Sequence, residues 1–496
     1  MEITTGITTD NWFSTAHHLA QHCPYTSNGA AGPFYLSIGE AIANKSSKML
    51  KIDPVSVLEV LANGYPFADR TLIDGVQRSP WRACPNGSGE WTYAPPPAHG
   101  NDKVPFDIAA KELRSRLITE ILGYLNGHRH VGILLSGGMD SRIAAGILRT
   151  VQQSGDFTGQ VTALTWGLTG TRDVIYAKEI AGRYGWEWRH FLLGPEQLHK
   201  NIQIAADMGA EFAPFHLHAL SEVAKCKDLD AIIAGSYGDS VGRAEYSGAR
   251  LLDLKPFVSP NLDPFGLIPP EVLKTYQAAI TDDIYGYRTR IIRDHEFQYR
   301  EIEQQMHYMR RRNQACMSHV ATVIPLYQMF TAPNTFGFMW GLAPNMRNDQ
   351  HYHELLPLLP GNVCDIPWAR TGLPLEQLQG CTDNLARLHH QYGVWLRQDL
   401  RNEIQSLIFN GSLQNLNIFN ERSLHWLMQL WPKPKTHSIN KLDEIVAWMA
   451  SLSIFATRYK IQGIEGMVKS RRVNLTSLSG VARATVYLAA REKLRT

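Results

Sequence analysis

The sequence predicts an α/β protein: a parallel sheet flanked by helices, followed by a mostly helical C-terminal half. Three observations carry that expectation. Between Val104 and about Ala244 short aliphatic runs alternate with helical periodicity, the pattern of strands joined by crossover helices. Within that region GILLSGGMDSRIAAGIL, from Gly132 to Leu148, leaves an aliphatic run through a serine and two glycines, meets an aspartate and turns helical. From about Pro270 onward apolar residues recur at helical spacing.

Taken in order, the chain from Met1 to about Lys103 is rich in Gly, Pro, Ser and Asn. Its one amphipathic stretch, DPVSVLEVLANGY, predicts a helix capped by Asp53 with Pro54 at its first position. RTLIDGVQRSPWRACPNGSGEWTYAPPP predicts short hairpins turning at NGSG and closed by a proline run that makes a linker. FDIAAKELRSRLITEILGYL then reads as a helix, VGILL and VTALTW as strands, RDVIYAKEIAGRYG as a helix ending on glycine, and EWRHFLL and LDAIIAGS as two further strands. Ligands of such sheets bind at the carboxyl ends of strands, where SGGMDS and GSYGDS both fall.

Composition narrows the class. With 496 residues, 44% of them hydrophobic, the chain has ample material for a buried core. A formal charge of +3 creates no global field that would mark a nucleic-acid binder. The six cysteines, 23, 84, 226, 316, 364 and 381, include no CxxC pair and no zinc-like spacing, as expected of reduced thiols. No basic segment precedes an apolar one at the N-terminus, and no apolar run reaches membrane-spanning length. The expectation is a cytoplasmic protein with neither a membrane nor a nucleic-acid partner.

The turn LLSGGMDS carries the chemistry. Gly137 and Gly138 let backbone N–H groups point into one concavity, the helix starting near Asp140 adds its positive end, and Ser136 and Ser141 add hydroxyls, which together suit phosphate. A carboxylate at Asp140 repels phosphate unless a cation bridges the two, so its presence points to Mg2+ between acid and pyrophosphate. The spacing is neither GxxxxGK[ST] nor GxGxxG.

SGGMDS resembles the PP-loop of ATP pyrophosphatases, enzymes that split ATP between its α and β phosphates. Within them the chain is similar, from roughly Phe34 to Tyr459, to the synthetase domain of glutamine-dependent asparagine synthetases and to their relatives, the β-lactam and carbapenam synthetases and the lasso-peptide cyclases. DRTLIDGVQRSPWRA resembles the family's hairpin before that domain, ALTWGLTGTRDVIYAKEIAGRYGWEWRHF the segment after the second strand, AGSYGDSVG the second pyrophosphate and metal segment, and VIPLYQ the Arg-Val-Pro-Phe-Leu-Asp stretch. The resemblance implies a five-stranded parallel sheet and a division into three parts. Residues 1–103 would be a shortened remnant of a glutaminase domain, 104–375 the PP-loop synthetase domain, and 376–496 its helical C-terminal part. It implies ATP and Mg2+ as cofactors, with Asp140 and Asp239 on the metal. Leu134, Leu135, Ser136, Gly137, Gly138, Asp140, Ser141, Trp166, Gly235 and Ser236 would bind the nucleotide, and Asp140, Asp239, Tyr237 and Arg370 would be catalytic.

Departures from the family shape the functional expectation. The glutamine-using members begin on a nucleophilic cysteine, whereas Glu2 follows Met1 here, so nitrogen is expected from free ammonia, a separate ammonia-supplying protein or an amine in the substrate. Ser236 and Ser240 replace the two glutamates of the second motif. The β-lactam formers carry a tyrosine there, so Tyr237 is one candidate base; Glu245 and Tyr246 lie shortly downstream, and Glu245 is the other. Arg370, two residues before Gly372, stands where the family has a lysine; its planar fork suits phosphate oxygens but does not relay protons. Arg142 either reaches a phosphate or points outward.

The implied activity is an AMP-forming, ATP-dependent carbon–nitrogen ligase that adenylates a carboxylate and passes it to ammonia or an amine. Amidation of a uronic acid in a polysaccharide and closure of a peptide or lactam ring are the alternatives within it; a PP-loop enzyme acting on RNA and a non-catalytic ATP-binding protein are alternatives of other classes. The remaining clusters read as structural. Arginines 310 to 312, with Arg288, Arg290 and Arg293, are expected on a solvated helix face. His17/His18 and His389/His390 are expected to diverge on helices, HYHE at 351 to 354 to be a loop, and Trp395, Trp426, Trp431 and Trp448 to be core.

Overall fold

A computed structural model describes residues 13, 16–45, 49–243, 257–259, 261–375, 383–432, 437–465 and 476–493. Glu2, Glu245, Tyr246 and Cys381 lie outside the described residues.

The N-terminal part holds two small antiparallel pairs. β1 (Tyr25–Thr26) pairs with β2 (Gln77–Arg78), and β3 (Ala83–Pro85) with β4 (Trp91–Tyr93) across the NGSG turn. Between them runs α1 (Pro54–Asn63); Asp53 caps it by accepting the Val55 N–H at 3.0 Å, and Pro54 takes the first position, where a missing N–H costs nothing.

After α2 (Phe106–Leu125) comes the expected sheet of five parallel strands: β5 (His130–Leu134), β6 (Gln160–Gly167), β7 (Glu187–Leu192), β8 (Ala231–Ala234) and β9 (Leu326–Gln328). Their spatial order is β7-β6-β5-β8-β9. The crossovers use α3 (Met139–Gln153) and α4 (Arg172–Tyr184), with α5 (Pro195–Asp207) following β7. The order reverses at β5, so the loops leaving β5 and β8 diverge in opposite directions and open a crevice at the sheet's carboxyl edge.

Strand alternation assigns the two faces. Val131, Ile133, Val161, Ala163, Ala231 and Ile233 pack into one buried cluster with Ile143, Ile147 and Ile180 of α3 and α4. Leu134, Leu164, Ile232 and Ala234 point the other way, against Phe212, Leu220 and Val320. A third cluster joins the N-terminal segment, with Val57, Leu58 and Leu61, to the C-terminal helices α6 (Lys441–Tyr459) and α7 (Thr476–Lys493).

Several expectations need correction. Arg310 and Arg311 are buried, because their guanidinium groups serve backbone carbonyls: Arg310 donates to Ala68 O and Ser79 O, Arg311 to Phe67 O, Ala68 O and Arg70 O. Arg311 also meets Glu211 at 2.8 Å, and Arg78 of β2 meets the same carboxylate at 2.9 Å. HYHE lies in a helix, Gln350–Leu355, with His351 and Tyr352 buried. His389 and His390 are not helical. Trp395, Trp431 and Trp448 are core, but Trp426 is 43% exposed, on the outer side of its helix. Among the described residues no helix is long and apolar enough to cross a membrane.

Candidate functional site

The loop 135–139 leaves β5 as its ladder ends. Leu135 N still donates to Leu164 O at 2.9 Å, and Thr165 Oγ1 donates to Leu135 O at 2.9 Å, so the chain is fixed up to the serine. The serines then organise the turn. Ser136 N donates to Ser141 Oγ at 3.2 Å, the two hydroxyls lie 3.0 Å apart, and Gly138 N donates to Ser136 Oγ at 3.2 Å. Gly137 N is taken by a carboxylate, Asp173 Oδ1, at 3.1 Å. A loop amide that donates to an acid's oxygen shows the anion-binding character expected of such a turn ahead of a helix N-terminus.

From β8 the loop 235–239 folds onto Asp140. A Cβ on Gly238 would sit 2.6 Å from Asp140 Oδ1, and one on Gly235 2.9 Å from Asp140 O, so only glycines permit the approach. Tyr352 Oη donates to Gly238 O at 2.9 Å and pins the loop from below. The two loops line a cavity of about 370 Å³ together with Trp166, Asp173, His218 and His389.

The structure brings Leu134, Leu135, Ser136, Gly138, Asp140, Ser141, Trp166, Gly235, Ser236 and Asp239 to this one cavity, and Gly137 to its rim. Two predicted residues lie elsewhere. Tyr237 is fully buried, with no hydrogen-bond partner for its hydroxyl among the described residues, and burial raises its proton affinity far above that of an ordinary phenol. Successive residues leaving a strand face opposite sides, so with Ser236 on the cavity Tyr237 enters the core; a core phenol outside the cavity cannot serve as the base. Arg370 is exposed, its guanidinium 5.4 Å above the Trp368 ring, although its neighbour Ala369 donates to Gly137 O at 3.1 Å.

Arg142 follows neither expected course. It is wholly buried and donates to Gly137 O, Val363 O, Ile366 O and Pro367 O at 3.1, 2.9, 2.7 and 2.9 Å. It is a strut between the loop and the 363–367 segment. Burial pushes its ordinarily very high pKa down to about 10. Three further residues carried no sequence signal. Arg243 donates to Asp140 Oδ2 at 3.0 Å and to Asp349 at 3.0 Å. His218 holds a positive φ of 43° and meets Tyr392 Oη through Nδ1 at 2.9 Å. His389 lies 3.5 Å from Asp173.

Among the described residues no three His, Cys, Asp or Glu side chains converge on a metal position. The pair Asp140 and Asp239 suits Mg2+, which is commonly held by one or two carboxylates and completed by phosphate oxygens and water.

Both loops and four of the five strands fall within residues 112–247, which match the model of the asparagine synthase family. The site is therefore that of an ATP-using adenylating or amide-forming synthetase in general. The chain carries an asparagine synthase domain, the synthetase part of that family, over those residues. Similar solved structures include the U34-tRNA thiolase NcsA from Methanococcus maripaludis, 16% identical over 41% of this chain and 80% of that one, with a TM-score of 0.23. NMN synthetase from Francisella tularensis is 15% identical over 44% and 93% of the two chains, with a TM-score of 0.21. No curated protein matches the chain.

Proposed function

We propose that the protein is an AMP-forming, ATP-dependent amide ligase. A carboxylate oxygen of the substrate attacks the α-phosphorus of ATP and pyrophosphate leaves. An amine nitrogen then attacks the acyl carbon of the adenylate, AMP departs, and the amine gives up a proton. The observation that carries this reading is the convergence of the 135–141 and 235–239 loops on one cavity at the strand-order reversal.

The chain's own groups have definable tasks. The amides of Ser136, Gly137 and Gly138 and the Ser136 and Ser141 hydroxyls exchange their present partners for pyrophosphate oxygens, and this fixed array binds charge as it develops on the leaving group. Leu134, Leu135 and Trp166 supply apolar surface for the adenosine. Asp140 and Asp239 would hold Mg2+, which would supply charge neutralisation on the phosphates. With Tyr237 in the core, Glu245 is the remaining predicted base. Nitrogen comes from ammonia, free or delivered by a separate protein, or from an amine of the substrate.

The deciding experiment incubates the protein with ATP, Mg2+, a panel of carboxylates and ammonium or amines. AMP and pyrophosphate formed only when a carboxylate is present support the ligase. ADP as product, or no turnover with any carboxylate, removes it.

A further inference from the structure

A second cavity, of about 610 Å³, adjoins the nucleotide site, and His218 lines both. The consecutive residues His389 and His390 line one cavity each, so the two spaces meet at a wall of imidazoles. No role assigned above uses this second space.

Its lining has a distinctive charge. Arg312, Lys441 and Arg483 face it, and Glu444 is the one carboxylate among its described lining residues. Glu444 Oε2 stands 3.8 Å from Lys441 Nζ, the outer limit of an ion pair. Arg312 is held by the neutral ring of His216, with Nε 3.1 Å from its Nε2. Burial, and then Arg312, hold His216 and its charge down; burial, and then His389 and His390, do the same for His218. Lys441 is likewise depressed by burial and by repulsion from Arg312. Glu444 attracts both Arg312 and Lys441, yet one carboxylate stands against three basic side chains, an excess of positive charge in a partly desolvated space that a further anion would complete. Elsewhere the walls are apolar or aromatic, with Phe215, Phe265 and Tyr392 among them.

We infer that this cavity binds the part of the carboxylate substrate distal to the reacting carboxyl, and that this part is an apolar or aromatic body ending in a second acidic group held between Arg312 and Lys441. The inference rests on the adenylating reading, because the first carboxyl lies in the nucleotide cavity while the rest of the molecule passes His218. A volume of about 610 Å³ is in the range of small-molecule sites.

Binding without chemistry tests it. The full chain is titrated, without ATP, with terephthalate and 4-(2-carboxyethyl)benzoate and with the monomethyl esters of each, by calorimetry and ligand-observed NMR. The diacids should bind about tenfold or more tightly than the esters, since a charge-assisted contact is lost in the ester. Lys441→Gln and Arg312→Gln should each weaken the diacids by about tenfold and leave the esters unchanged. Equal affinity of diacid and ester, undiminished binding by Lys441→Gln, or no binding by any member overturns the inference; Lys441→Gln, at a half-buried helix start, serves if Arg312→Gln fails to fold. Diacid binding with these dependences, but no AMP formed with any carboxylate, would remove the ligase reading and leave an anion site.

Discussion

Replacing Arg142 by Met removes four hydrogen bonds at once while keeping most of the aliphatic stem. Of the four carbonyls it serves, Gly137 O keeps the Ala369 N–H, whereas those of Val363, Ile366 and Pro367 have no substitute donor among the described residues. At about 1 kcal/mol for each of the three stranded acceptors the loss approaches about 3 kcal/mol. Release of the guanidinium from a site that disfavours its charge returns part of this, so the net destabilisation should be about 2 kcal/mol. Equilibrium urea denaturation followed by tryptophan fluorescence, with wild-type and variant slopes compared, measures it. In the folded fraction nucleotide affinity should also fall by about tenfold, since Gly137 O loses one of its two tethers. Arg142→Lys should recover little, because one ammonium cannot span four carbonyls. A loss below about 1 kcal/mol, or full recovery with lysine, refutes the idea that this side chain ties the loop to the 363–367 segment.

Asp140→Asn should lower AMP formation about hundredfold or more, with a circular dichroism spectrum like that of wild type. Arg243→Gln frees Asp140 from its ion pair and should lower the Mn2+ concentration needed for half-maximal ATP binding, by about fivefold for an interaction of roughly 1 kcal/mol; calorimetry with Mn2+ reads it. Gly238→Ala places a methyl 2.6 Å from Asp140 Oδ1 and should abolish ATP binding while the protein stays folded. For pH, burial pushes His307 down to about 3 and His351 down to about 4, so the folded state resists protons that the unfolded chain takes up near 6.5. Stability is therefore full above about pH 6.5 and declines as pH falls towards those values. Glu301 would be raised by burial, yet Arg347 and His99 draw it down to about 2, so its contribution is lost from about 4.5 downward. His307→Gln should flatten the upper limb of a stability–pH curve; an unchanged slope between pH 6.5 and 4.5 contradicts this account.

Much of this architecture is written locally. Aliphatic runs such as VGILL and LDAIIAGS, followed by small residues, specify strands and the turns after them without help from elsewhere. Asp53, Pro54 and Gly64 mark both ends of α1 in the same way. What escaped depends on partners distant in the chain. Arg142, Arg310 and Arg311 look like surface arginines until the carbonyls 221 to 244 residues away are in view. Nothing in the neighbourhood of His218 or His389 announces that they would meet at a cavity wall. For Tyr237 a single step of register decided between site and core.

The run Arg310–Arg312 has a consequence for how the molecule holds together. Consecutive side chains on one helix reach Ser79, then Glu211 beside β2, then His216, and so stitch the opening segment, the sheet region and the second cavity through a single turn. The first hundred residues thus act less as an appendage than as a lining for buried charge: stripped of them, Arg310 and Arg311 would lose the backbone carbonyls that hold their guanidinium groups.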